Sequence, residues 1–275
     1  MRTFPVAFVS VVVVSMALVR GASAQPAPPD VTDAEFKCMA STSKATAKFW
    51  GSKTKCVSRC MVRFWDDIVP ESDCVYPYGG PTAQCIADAV TFLKGAEDKF
   101  SYAIRKQCDA ATKPGTECPG CYDGGDCSQA GYAGDQVQTI EGQVDSFVPG
   151  VFCERTGAFI LEQRCQLTTA KWIAKYMASA GKCYDKCNRN ARKALIPFGD
   201  CAPPAADVPT AECLMIAEAK MVYYIDHDCH APPSIPDNCG APYPTPQEWA
   251  NLSRIVVAGN VPSLYCAFPS IAFID

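Results

Sequence analysis

Histidine is almost missing from this chain: 275 residues hold two, His227 and His230. Only one Cys-x-x-Cys pair occurs, Cys118 with Cys121. A soft-metal site wants several such pairs, or cysteines beside histidines, so the sequence assigns no metal ligand. No Gly-x-Ser-x-Gly elbow, zinc-binding His-Glu-x-x-His, phosphate loop or heme-attachment motif is present, so no catalytic residue and no cofactor are assigned either. An excess of basic residues is lacking as well. Lys and Arg number 25 against 29 Asp and Glu, which argues against nucleic acid as the main partner. Beyond Val19 no stretch is apolar enough to span a bilayer.

The beginning of the chain is different. Met1 and Arg2 open it, Phe4 to Val19 is rich in Val, Ala and Phe, and Ala22-Ser23-Ala24 has the small–x–small form of a cleavage site. The apolar run falls short of the roughly 20 residues of a spanning helix, so residues 1–24 read as a cleaved signal peptide and Gln25 as the mature N-terminus. Cleavage removes Arg2 and Arg20, leaving 23 basic against 29 acidic residues, a net charge of −6. The expected location is secreted, extracellular or periplasmic, with no transmembrane segment after cleavage. All 18 cysteines follow Ala24, and in an oxidising compartment an even number of them predicts a disulfide framework.

The spacing of those cysteines repeats. From Cys38 through Cys56, Cys60, Cys74, Cys85, Cys108 to Cys118 the gaps are 17, 3, 13, 10, 22 and 9 residues. From Cys165 through Cys183, Cys187, Cys201, Cys213, Cys229 to Cys239 they are 17, 3, 13, 11, 15 and 9. Intervening residues agree too: Pro81-Thr82-Ala83-Gln84-Cys85 matches Pro209-Thr210-Ala211-Glu212-Cys213, and Val148-Pro149 leading to Cys153 matches Val261-Pro262 leading to Cys266. The pattern predicts a duplication. A first eight-cysteine unit covers 25–153, a second covers 154–275, and Cys121 and Cys127 remain, expected to bridge each other.

The fold class expected is all-α, with about three disulfide-stapled helices per unit. Cys165, Thr169, Trp172 and Ile173, Tyr176, Ala180, Cys183, Cys187, Ala191 and Leu195 recur at helical intervals without an interrupting proline, and Cys38 to Phe64 repeats the stripe. Second helices are expected to start at Thr82 and Thr210. In the third helix of the second unit Thr245 caps, Pro246 follows, Glu248 completes a capping box and Gly259 closes; its counterpart runs from about Asp135 to Phe147. Side-by-side packing suggests bridges Cys60–Cys85 and Cys38–Cys108. In the second unit the same scheme leaves a mismatch of roughly 9 Å. Either a bulge near Gly95 or a bridge through Cys183 resolves it. A bridge between the units would contradict self-contained modules.

Four basic positions repeat on the first helices: Lys44, Lys48, Lys55 and Arg59, then Lys171, Lys175, Lys182 and Lys186. They form either an anion-binding ridge or an ordinary solvated face whose charges offset Glu97, Asp98, Glu212 or Glu218. Arg189, Arg192 and Lys193 make the second ridge the richer one. The stretch Asp226-His227-Asp228-Cys229-His230 offers either a metal site or a polar helix end suited to a cationic His. Its His-Asp pair resembles, over about three residues, the secreted phospholipases, in which such a His activates water beside a calcium-bound Asp. The cysteine preceding that motif and the calcium loop are missing here. Asp123 and Asp126 in a glycine turn fall short of the six or more oxygens calcium takes. Asn251-Leu252-Ser253 is a glycosylation sequon inside an expected helix.

The paired Cys-x3-Cys helices with repeated Lys resemble a loose class of uncharacterised secreted bacterial proteins built from tandem cysteine- and lysine-containing helical units. That class has no established activity and implies none. The expected function is a non-enzymatic binding or structural role toward an unknown extracellular ligand or surface. Its rival is a secreted hydrolase using His227 and Asp228. A deep apolar cavity favours a carrier, whereas a His227 open to solvent without a carboxylate partner counts against the hydrolase.

Overall fold

A computed structural model describes residues 31–87, 94–152, 160–229 and 245–266. Residues 1–30, which include the expected signal segment, and Cys153, His230 and Cys239 lie outside them. The protein is all-α, as the sequence predicts. Among the described residues there are seven α-helices: α1 (Asp33–Trp65), α2 (Gly80–Ile86), α3 (Ala96–Cys108), α4 (Tyr132–Val151), α5 (Ile160–Arg192), α6 (Val208–Cys229) and α7 (Pro246–Tyr265). None is long and apolar enough to cross a membrane.

α1 and α5, each about 50 Å long, pack against one another. They run antiparallel: Arg192 at the end of α5 bonds Asp33 and the Val31 carbonyl at the start of α1. Further along, Val57 and Ile173 line one small void. α2 and α3 flank α1, α6 flanks α5, and α4 and α7 each touch helices of both sets. Apolar residues of every helix except the ends join one core, in which an aromatic row crosses from α1 through α4 to α7. Trp50 meets Phe147 edge-on at 5.6 Å, and Phe147 stacks on Trp249 at 5.9 Å.

The disulfides of the two halves follow one order. Cys38–Cys108, Cys56–Cys85 and Cys60–Cys74 correspond to Cys165–Cys229, Cys183–Cys213 and Cys187–Cys201. The expected Cys38–Cys108 bridge is present, but the expected Cys60–Cys85 bridge is not. Cys56 and Cys60 sit one turn apart on α1, and Cys60 turns to the short segment carrying Cys74. The use of Cys183 answers the mismatch in the second half. In the first half the second helix is divided, with Gly95 capping the start of α3.

Cys121 does not bridge Cys127. Cys118 pairs with Cys127, and Cys121 pairs with Cys266 at the end of α7. Tyr122, fully buried, stacks on Tyr132 at 3.7 Å and donates its hydroxyl to the Leu264 carbonyl. This loop therefore fastens the first half of the chain to the last helix, and the halves are not separately stapled modules.

Four helix ends differ from expectation. Thr82 lies inside α2, and Asp207, not Thr210, caps α6 by accepting from the Thr210 N–H at 3.1 Å. Leu195 lies beyond α5 and is exposed. Gly259 does not close α7, which continues through Pro262 to Tyr265. The Thr245–Glu248 capping box is as predicted.

Candidate functional site

A groove of about 880 Å³ lies between α5, α6, α7 and the segment 203–205. Tyr176 and Tyr184 from α5, Leu214 and Val222 from α6, and Ile255 and Val257 from α7 line it. It exists because α6 carries apolar residues around more of its circumference than α5 and α7 cover. Met215, Tyr223 and Ile255 are each more than 60% exposed.

One polar group interrupts the apolar wall. Glu218 accepts from Arg254 Nη2 at 2.7 Å, from Arg254 Nε at 3.2 Å and from Gln247 Nε2 at 3.2 Å. That pairing raises the Arg254 pKa further. Burial pushes the Tyr176 phenol up to about 12, with Glu218 adding to the effect and Arg254 opposing it. Tyr184 is raised by burial. The groove thus presents neutral phenols and an internally compensated ion pair.

A second polar cluster lies in the first half. The Lys53 ammonium, completely buried, bonds Glu141 at 2.6 Å and Asp145 at 2.9 Å. Tyr78 donates to Asp145 at 2.5 Å and lies beneath the ammonium, 5.3 Å from ring centre to Nζ. Burial raises the Glu97 carboxyl to about 7, and its hydrogen bond to Glu141 and the Glu141 charge add to the shift. This cluster ties α1, α3 and α4 together.

The residues singled out from sequence fall as follows. His227 is 62% exposed on its side chain. It does touch a carboxylate, Asp228, at 3.1 Å, but Asp228 also receives Arg164 at 2.6 Å and Thr168 at 2.7 Å. Desolvation disfavours ionised Asp228, but the bonds from Thr168, Arg164 and His227 outweigh it and hold the carboxyl below its ordinary value. Asp126 caps the Ser128 backbone instead of facing an ion. Asn251 is exposed, while Ser253 of the sequon is buried. The sulfurs of Cys38, Cys108 and Cys127 lie close together, but each is in a disulfide and none is a thiolate.

All eight residues of the two basic ridges are exposed, and none forms an ion pair among the described residues. Lys175 lies over the Trp172 ring at 4.0 Å. Lys171 lines a shallow cavity. Arg189 and Arg192 are drawn into pairs with Asp185 and Asp33. Glu218, one of the expected partners, is committed to Arg254.

The groove had no clear signal in the sequence, although the run Leu214-Met215-Ile216 with Val222-Tyr223-Tyr224 gives α6 an unusually broad apolar surface. The chain matches no protein-family model, no curated protein and no solved structure.

Proposed function

We propose that this is an exported, disulfide-stapled helical binding protein, a duplicated chain whose ligand site is the groove between α5, α6 and α7. One observation carries the reading: a largely apolar groove of about 880 Å³, within the range of roughly 300–1,000 Å³ of small-molecule sites. Its single Glu218–Arg254 pair is positioned to orient a ligand. The pair also restricts ligand charge. A carboxylate near Arg254 would lie against Glu218, and a cation near Glu218 would lie against Arg254. The ligand class that fits is an apolar molecule with one neutral hydrogen-bonding group, such as a long-chain or cyclic alcohol.

Native mass spectrometry of protein purified from its source should show a co-purifying apolar compound. In vitro, long-chain alcohol, carboxylate and amine of equal length compete for an environment-sensitive fluorescent probe. The alcohol is expected to compete about tenfold better than either charged analogue, a difference of roughly 1.4 kcal/mol. Filling the groove with Ala219→Trp and Ala258→Trp should abolish probe binding. Binding that survives both substitutions, or no binding of any analogue, defeats the carrier reading.

A further inference from the structure

A second cavity, independent of the groove, lies between α1, α2 and the start of α3. It measures about 420 Å³, and Lys55 and Arg59 of α1 line it together with Lys94 and Lys99. Ser52 and Gln84 add neutral polar groups, and the Cys56–Cys85 disulfide forms part of the wall. No carboxylate lines it among the described residues. The geometry points to a binding site for a small, multiply charged oxyanion of the phosphate or sulfate type.

Electrostatics carries the argument. Lys55 and Arg59 stand four residues apart on one helix, an arrangement of like charges that disfavours the fold. Lys94 and Lys99 then bring two more positive charges to the same cavity. None of the four is in an ion pair among the described residues. The two acidic residues that open α3 are turned to other tasks. Glu97 hydrogen-bonds Glu141 in the Lys53 cluster, and Asp98 accepts from the Gly95 backbone N–H at 3.2 Å. A bound anion relieves the repulsion that these side chains leave uncompensated.

The donor set suits phosphate chemistry. The Arg59 guanidinium offers a planar fork for two oxygens, and lysines act as point charges around the rest. The start of α3 adds a partial positive charge from its backbone. The disulfide holds α2 to α1, so the site needs little rearrangement to receive a ligand. Counted from the cysteines, Lys55, Arg59 and Lys99 correspond to Lys182, Lys186 and Lys220, but Lys94 corresponds to Met215. Met215 lines the apolar groove instead. The first half therefore collects four cations where the second half has three, and the second-half lysines serve as an internal control.

The test is calorimetric titration of the full mature chain at fixed ionic strength in chloride. Three probes separate the sources of the anion: inorganic phosphate, glycerol phosphate, and neutral vesicles doped with phosphatidic acid. Saturable binding of one phosphate or glycerol phosphate per chain is expected. Lys55→Gln with Arg59→Gln should weaken it at least about tenfold, the scale of one charged hydrogen bond. Lys182→Gln with Lys186→Gln should leave it within about twofold. Vesicle binding without soluble phosphate binding, lost in the first variant only, assigns the site to a lipid headgroup. Lys94→Gln with Lys99→Gln repeats the test from α3 if the α1 variant fails to fold. Absence of saturable binding for all three probes, or equal weakening by the first- and second-half variants, overturns the site.

Discussion

Lys53 is the only Lys or Arg that is buried among the described residues, and its neighbours decide how pH acts on this fold. Glu141 and Asp145 on α4, Glu97 on α3, and Tyr78 surround it with more acid than one ammonium can balance. Burial and Glu141 move the Glu97 carboxyl from an ordinary value near 4.5 to about 7. Between those values the folded chain holds a proton that the unfolded chain releases, so this group's contribution to stability falls as pH rises from about 4.5 to about 7 and is flat above. Glu97→Gln keeps a neutral side chain at every pH. Its urea midpoint should match wild type near pH 4 and exceed it at pH 8, by on the order of 1 kcal/mol after allowing for partial exposure. Parallel profiles for the two proteins would show that Glu97 ionises normally. Lys53→Met is the converse experiment. It strands Glu141 and Asp145 without their cation, and the expected loss is about 3–5 kcal/mol, read as a lower urea midpoint at pH 7. The sequence placed Lys53 beside the basic ridge without distinguishing it, because a helical stripe gives no view of what α4 brings against it.

At the scale of elements, the ends of α1 and α5 show the same device with different residues. Ile68 N–H reaches the Arg63 carbonyl and Asp67 N–H the Phe64 carbonyl; Leu195 N–H reaches Asn190 and Ala194 N–H reaches Ala191. Both are Schellman closures, which put one residue in the left-handed region. Asp67 and Ala194 each have φ of 56°. Asp tolerates that conformation better than Ala does, since its short polar side chain bonds locally. Ala194→Gly should therefore stabilise the protein by about 1 kcal/mol, a Tm rise of roughly 2–4 °C. Asp67→Gly should gain less. A fall in Tm for Ala194→Gly would mean that the Ala side chain is needed there. The same scale explains what the sequence conveyed and what it hid. Cysteines at helical spacing marked the buried faces of α1 and α5 correctly. They did not separate Cys56 from Cys60 as the partner of Cys85, since one turn apart on one face both lie within reach of a neighbouring helix. The equal 13-residue gap from Cys60 to Cys74 and from Cys187 to Cys201 was the available hint of a local bridge. The groove stayed hidden for a different reason. An apolar circumference on α6 reads as burial, but Met215, Ile216 and Tyr223 remain in contact with solvent.

For the whole molecule, the repeated cysteine spacing suggested two modules, each closed on itself, and the contacts between them say how far that picture extends. Matching bridges do recur within each half. Yet α1 packs along α5, the Trp50–Phe147–Trp249 row belongs to both halves, and Cys121–Cys266 with the Tyr122–Leu264 hydrogen bond ties the 118–127 loop to α7. Cutting the chain between the halves would expose the packed faces of α1 and α5 along much of their length, and large aromatic residues with them. Each half alone would keep too small a core to offset its chain entropy. Calorimetry of residues 25–275 should accordingly show one cooperative transition, with calorimetric and van't Hoff enthalpies equal. Residues 25–153 expressed alone should give no such transition, even with their own disulfides formed. Two resolved transitions, or cooperative unfolding of that fragment, would restore independent modules. Cys121→Ser with Cys266→Ser asks how much the covalent tie adds to the shared core. If the tie acts by restricting the unfolded chain, the variant should retain a single transition and lose about 2–4 kcal/mol. If it splits into two transitions, the disulfide and not the packing couples the halves. The groove then belongs to a half that folds by itself, and its ligand binding should survive intact in residues 154–275.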